Sequence, residues 1–320
     1  MKQELKDFFV NLEERKLQKH KGTILLDQEN IVPSDTKEPS AVQYYFDGIP
    51  TWVKTERPHN VVFGLATKDL YINSGLITPI TCPTNTKELI DNECFKIASQ
   101  DVNSISDIGY DVKLAGKTPE ILKLSKKHLR DAKHSIWSPI KKEEYKNELL
   151  EFMTEECFEE FMTMFLLGEL CTDSDKHDGN YFLYKTKGAE KYEGIIPIDL
   201  EFSEILRQGN HQYKNTKAAF DNFKNRHYCA FTPMSTNSDN YQLLCERLFA
   251  IRKLIEDGKL TNNQVSAIKS ALEVDLPKRC NYYCDKHGID TPKQFVYEMM
   301  SRLWKENRKV LWNSVESATL

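Results

Sequence analysis

Cys171-Thr172-Asp173-Ser174-Asp175-Lys176-His177-Asp178-Gly179-Asn180 closes one helix-like pattern and leads into a pair of strands that ends in Ile198-Asp199-Leu200-Glu201-Phe202. Upstream, Tyr145, Leu149, Met153, Cys157, Phe161 and Phe165 recur every four residues, with Leu150, Phe158, Met162 and Leu166 beside them. That periodicity predicts one long amphipathic helix, with Glu151, Glu155, Glu156, Glu159 and Glu160 turned largely to solvent. Downstream, Tyr181-Phe182-Leu183-Tyr184 and Gly194-Ile195-Ile196-Pro197-Ile198 read as two strands joined by the polar run Lys185 to Glu193. The ends of a hairpin lie together, so Asp199 is expected to face Asn180. With Asp175, three oxygen-bearing side chains then converge in one helix-to-hairpin corner.

Phosphoryl transfer from ATP needs such a set. One carboxylate orients the incoming hydroxyl, and a carbonyl oxygen and a second carboxylate hold magnesium against the phosphates, because that metal prefers hard oxygen ligands. At these residues the chain resembles the protein kinase superfamily, in whose HRDxxxxN loop the Asp precedes the metal-binding Asn by five positions. Asp175 stands five positions before Asn180. The string Asp175-Lys176-His177-x-x-Asn180 is more similar to the DRHxxN loop of phosphoinositide kinases and HipA-type kinases, with Lys176 in place of Arg. Asp199 matches the Asp of the DFG position, although Leu200-Glu201 replaces Phe-Gly. The resemblance implies that Asp175 is the base, His177 an electrostatic support near the transferred phosphate, and Asn180 and Asp199 the magnesium ligands. A simpler reading of the same residues is a solvated polar turn whose Asp side chains cap adjoining elements.

The first third reads differently. Residues 2 to 20 form a charged helix pattern with Leu5, Phe8, Phe9, Leu12 and Leu17 as a partial stripe, and Asp27 to Ser40 is loop-like. Ala41 to Phe46 and Ile49 to Lys54 flank Asp47-Gly48, which supplies the positive φ angles of a tight hairpin turn. Pro50 cannot donate to a ladder, so a bulge or a sheet edge is expected there. A helix is predicted from about Val61 to Asn73, a strand from Cys94 to Val102, and a loop from there to Lys117. In kinase terms Lys54 is the candidate for holding the α- and β-phosphates of ATP, with Lys96 as the alternative. The helix after Lys54 has no Glu between residues 60 and 75, leaving Asp69 as a substitute partner, and no GxGxxG is present. Helices are also expected at about Tyr241 to Asp257, Asn262 to Leu272 and Pro292 to Trp312.

The resemblance therefore implies an α+β, bilobal kinase-like fold with a small strand-rich N-lobe and a larger helical C-lobe. Residues 1–40 would be an extension, 41–112 the N-lobe and 113–320 the C-lobe. Composition agrees with a folded protein. The 320 residues are 40% hydrophobic and 29% charged, which suits one large domain or two ordinary ones and excludes general disorder. A net charge of -4 means that any polyanion site is local. There is no run of about 18 apolar residues, and the beginning, Met1 to Phe9, lacks the apolar centre of a signal peptide, so a cytoplasmic protein without a transmembrane segment is expected. The eight cysteines are scattered and read as reduced core residues. Cys280, Cys284 and His287 are soft ligands with no fourth nearby.

Lys117, Lys123, Lys126, Lys127, His128, Arg130, Lys133, His134, Lys141 and Lys142 crowd the segment before the long helix. Such a cluster holds a polyphosphate or an anionic surface by summed Coulomb attraction, or it is an ordinary solvated helix face. The combination resembles effector kinases that intracellular bacterial pathogens inject into host cells. That likeness implies action in the host cytosol and an inositol polyphosphate activator, such as inositol hexakisphosphate, on the basic segment. The expected activity is an ATP- and magnesium-dependent protein Ser/Thr kinase. The alternatives are a phosphoinositide kinase, with Lys214, Lys217, Lys224 and Arg226 meeting the headgroup, and a pseudokinase that binds without transferring phosphate. The His177-Asp178 dipeptide also occurs in HD-type phosphohydrolases, where it is helical; Gly179 and the following strand argue against that. No nucleic-acid-binding motif is present.

Overall fold

The Asp-Gly signal separates two paired strands in the computed structural model, which describes residues 2–9, 41–46, 49–79, 81–83, 95–124, 146–173, 178–200, 240–289 and 293–319. β1 (Ala41–Phe46) and β2 (Ile49–Glu56) run antiparallel, with Phe46 opposite Ile49. Two residues are all that remain to make the turn. With β3 (Thr81–Pro83) and β4 (Phe95–Gln100) they form a four-stranded sheet in the order β1-β2-β4-β3. Pro50 therefore lies in a central strand, and its register with Tyr45 has no bulge. It is tolerated because pairing with β4 begins only at Thr51, and the Pro50 carbonyl accepts from the Asp101 N–H at 2.9 Å.

α2 (Pro58–Asn73) follows β2, with Pro58 in the first turn, where the missing N–H has no intrahelical role. Helix 2–9 precedes the sheet as α1. Val61, Val62, Phe63, Leu65, Ala66, Leu70 and Tyr71 are all buried, so α2 is covered on almost every side.

The expected loop after β4 is instead a 3-10 helix, Val102–Ile108, capped by Asp101, followed by strand β5 (Tyr110–Leu114). β5 pairs with β6 (Tyr181–Thr186), and β6 with β7 (Gly194–Pro197), making a second sheet in the order β5-β6-β7. The division proposed between residues 112 and 113 thus falls inside β5. Tyr184 is fully buried at the end of this sheet and meets the Tyr110 ring edge-on at 5.9 Å. Its cross-strand partner is Gly194, where an added Cβ would lie under 3.0 Å from three atoms of the Tyr184 side chain. Neither backbone nor ring has room to retreat, so Gly194→Ala should destabilise the protein by about 1–3 kcal/mol through overpacking. Urea denaturation checks this, and an unchanged midpoint contradicts it.

The long helix predicted from Tyr145 is broken. A single helical stretch at 146–149 stops, and α4 (Glu155–Cys171) begins only after Thr154, whose hydroxyl accepts from the Cys157 N–H at 3.1 Å. The cause lies across the chain. Tyr192 donates to the Phe152 carbonyl and accepts from the Thr154 N–H, both at 2.9 Å, and a backbone engaged that way cannot continue a helical ladder. Glu160 also departs from expectation. It faces inward, accepting from Lys2 at 2.9 Å and from the Ile195 N–H at 3.0 Å. Burial raises its pKa against the opposing pull of Lys2.

Among the described residues, the other helices are α3 (Pro119–Leu124), before the break, and α5 (Asn240–Glu256), α6 (Asn262–Glu273), α7 (Leu276–His287) and α8 (Lys293–Ala318) after it. α6 starts on a reciprocal capping box between Thr261 and Gln264. α7 lies outside the helices expected from periodicity, although its Asp275 cap, its Pro277 and its terminal Gly288 are all start and stop signals. Cys157, Cys171, Cys280 and Cys284 are buried, and among the described residues no group of His, Cys, Asp or Glu gathers as a metal cage. His287 stacks flat on Tyr283.

One large core joins α2, α4, α5 to α8 and the inner faces of β6 and β7. A second core places Leu5 and Phe9 of α1 against Val102 and Ile105 of the 3-10 segment and against Tyr110, Tyr184 and Ile196 of the second sheet. α1 thus packs where the chain passes from one sheet to the other. Among the described residues no helix is long and apolar enough to cross a membrane.

Candidate active site

Between the two sheets lies a cleft of about 460 Å³, and the pairing at its centre joins residues far apart in sequence. Lys54, from an inner strand of the first sheet, reaches Asp199, just beyond the last strand of the second. Its Nζ lies 2.5 Å from Asp199 Oδ1. Strand alternation places Trp52 and Lys54 on the same face of β2, and both line the cleft, as does Ser99 opposite Trp52.

Asp199 is aimed by its backbone. Its φ of 52° is left-handed, one of two such non-glycine positions among the described residues. Asp adopts that region more readily than most side chains, and a strained φ held in place beside a cleft is a common mark of function. The other left-handed residue, Thr172, ends α4 immediately before the polar loop.

The hairpin closes as expected. The Ile198 N–H donates to the Asn180 carbonyl at 2.9 Å, so Asn180 and Asp199 stand at adjoining ends of β6 and β7. Asn180 is buried, and Gly179 beside it lines the cleft with Asp199. Gly116 braces this corner from the β5 side, donating its N–H to the Asp178 carbonyl at 2.5 Å. A Cβ at Gly116 would come 3.2 Å from that same oxygen, so any larger residue there would have to push the Asp178 backbone back by a few tenths of an ångström.

Asp175 and His177 lie outside the described residues, as do Lys126, Lys127, His128, Arg130, Lys133 and His134. Lys123 is described; it stands exposed in the last turn of α3 (Pro119–Leu124). Lys96 is in β4 opposite Thr55, and its side chain is outside the described set. Asp69 does not meet Lys54. Its carboxylate accepts from the Tyr283 hydroxyl at 2.8 Å and faces Arg279 at 3.6 Å, tying α2 to α7.

Two cleft lysines do not stand out from sequence: Lys68, on α2 one turn past Gly64, lines the cavity while only 6% exposed, and Lys113 lines it from β5. Lys117, the first residue of the basic segment, lines it from the turn after β5. Four lysines against the carboxylates of Asp101 and Asp199 leave the cavity lining net positive in a chain of net negative charge. The alternation Tyr110-Asp111-Val112-Lys113-Leu114 was the signal that would have revealed β5 and hence Lys113.

Asp199 brings a carboxylate to the cleft, a hard oxygen donor of the kind magnesium takes while keeping waters and phosphate oxygens in its shell. Asn180 is buried at the adjoining strand end and is not among the residues that line the cleft.

No protein-family model matches the chain, and no curated protein matches its sequence. Solved structures do match. The Helicobacter pylori proinflammatory kinase CtkA superposes with a TM-score of 0.52 at 14% identity, over 93% of this chain and 97% of that one. HipA of Shewanella oneidensis, from a toxin–antitoxin complex with HipB and operator DNA, superposes with a TM-score of 0.52 at 11% identity, over 97% of this chain and 72% of that one. The architecture is thus an α+β, bilobal kinase-like fold, with the Lys54–Asp199 pair in the cleft between its two sheets.

Proposed function

We propose that this chain is an ATP- and magnesium-dependent phosphotransferase, acting as an atypical protein Ser/Thr kinase. The Lys54–Asp199 pair carries the proposal: a strand lysine and a carboxylate at a hairpin's end meet across a cationic cleft in a kinase-like fold. Lys54, with Lys68, Lys113 and Lys117 around it, supplies positive charge for a triphosphate. Asp199 and Asn180 would hold the magnesium, which when bound neutralises the charge on the transferring phosphoryl group. Asp175 would accept the proton of the substrate hydroxyl, with His177 supporting the transferred phosphate electrostatically. The chain's contribution is mostly positioning and charge, so no covalent intermediate on the protein is required.

A phosphoinositide acceptor is the second reading, favoured by the Asp175-Lys176-His177-x-x-Asn180 string. The basic segment from Lys123 to His134 is proposed as a site for inositol hexakisphosphate acting as activator, and the cytosol, a host cell's for an effector, as the place of action.

One experiment separates these. The protein is incubated with γ-labelled ATP and a protein mixture or phosphoinositide vesicles, with and without magnesium and inositol hexakisphosphate. Magnesium-dependent label on protein Ser or Thr is expected, and more of it with the inositol polyphosphate. Label confined to lipid makes the chain a phosphoinositide kinase. Magnesium-ATP binding with no transfer to either makes it a pseudokinase.

A further inference from the structure

We propose that Glu56 is the counter-ion that holds Lys54 ready for nucleotide phosphates, a positioning role borne here by the lysine's own strand and not by the following helix. The inference rests on the reading of the cleft as a nucleotide site. Lys54 Nζ lies between two carboxylates, 2.5 Å from Asp199 Oδ1 and 3.7 Å from Glu56 Oε1. The strand period of two puts Lys54 and Glu56 on one face of β2. Glu56 is itself held, because its Oε2 accepts from Asn60 Nδ2 at 2.9 Å, in the first turn of α2. Both side chains of the pair are largely shielded, at 18% and 23% exposure, so their attraction is less screened than that of a surface pair.

α2 offers no alternative. Its residues on the cleft are Gly64 and Lys68, neither of which balances a cation, and its sole acid, Asp69, is engaged by Tyr283 and Arg279. Asp199 cannot both serve a divalent cation and remain the main partner of Lys54. When it turns to the metal, the ammonium needs a second carboxylate within reach to stay extended into the cleft. Closing the distance to Glu56 from 3.7 Å to a charge-assisted hydrogen bond takes a shift of about 1 Å. Because Glu56 and Lys54 share a strand, their pairing does not depend on where α2 sits relative to the sheet, beyond the Asn60 contact.

The test is a double-mutant cycle on the full chain, read as affinity for magnesium-ATP and for adenosine, with transfer measured alongside. Glu56→Gln keeps the shape and an acceptor for Asn60 while removing the charge. It should weaken magnesium-ATP binding roughly 10- to 100-fold, the range for one charge-assisted contact, and leave adenosine affinity and thermal stability unchanged. In a Lys54→Met background the same change should have no further effect, and Glu56→Asp should restore part of the loss. An unaltered magnesium-ATP affinity in Glu56→Gln overturns the inference, and so does a loss that persists without Lys54 or extends equally to adenosine. A wild-type chain that binds no magnesium-ATP would overturn the function reading itself, and this inference with it.

Discussion

Asp199→Asn is expected to lower phosphoryl transfer by at least about 10²–10³-fold while the protein folds and melts as the wild type does. The two halves of that expectation have separate causes. Asn is nearly isosteric with Asp and equally at ease at a φ of 52°, so the backbone turn beyond β7 survives. The lost ion pair to Lys54 involves a carboxylate 43% exposed, and a pair so open to solvent contributes little to stability. The chemistry suffers because a neutral amide cannot supply the negative charge that binds magnesium beside the phosphates. Steady-state transfer with labelled ATP and a thermal melt on the same preparation check both halves. Activity within tenfold of wild type would remove Asp199 from the site.

Lys54→Met is expected to cost about 10²-fold in kcat/KM for ATP, the scale seen when one preorganised electrostatic contact to a transition state is deleted. Met fills the volume of the lysine stem without its charge, so the strand and the Trp52 face of the cleft keep their packing. Removing the ammonium leaves Asp199 and Glu56 facing each other without a cation between them, a repulsion solvent largely screens at Asp199. The melting temperature without ligand should therefore change little. The rise in melting temperature produced by magnesium-ATP should shrink, since that rise depends on the ratio of ligand concentration to Kd. An undiminished rise with unchanged kcat/KM would mean that Lys54 serves only as a structural partner of Asp199.

The sequence was most informative where a local rule has a single physical outcome. Asp47-Gly48 fixed both strands of the first hairpin and therefore the position of Lys54, and the polar loop with its following hairpin brought Asn180 and Asp199 to one corner. What stayed hidden depends on partners distant in sequence. The four-residue stripe from Tyr145 ran on through a break made by Tyr192, a residue on another element. The inward turn of Glu160 was invisible because Lys2 and the Ile195 N–H, which accommodate it, come from an N-terminal helix and a strand. Asp69 looked available to Lys54 from spacing alone, and only the packing of α7 on α2 reveals its engagement with Tyr283 and Arg279. β5, in a stretch expected to be loop, is legible in sequence, since its five residues alternate as a half-buried strand should.

The most direct measurement is a crystal structure of the full chain with magnesium and a non-hydrolysable ATP analogue. The account predicts the triphosphate in the cleft between the sheets, Asp199 and Asn180 as magnesium ligands, and Lys54 turned from Asp199 onto the phosphates. Nucleotide bound elsewhere, or a metal held without Asp199, would contradict it.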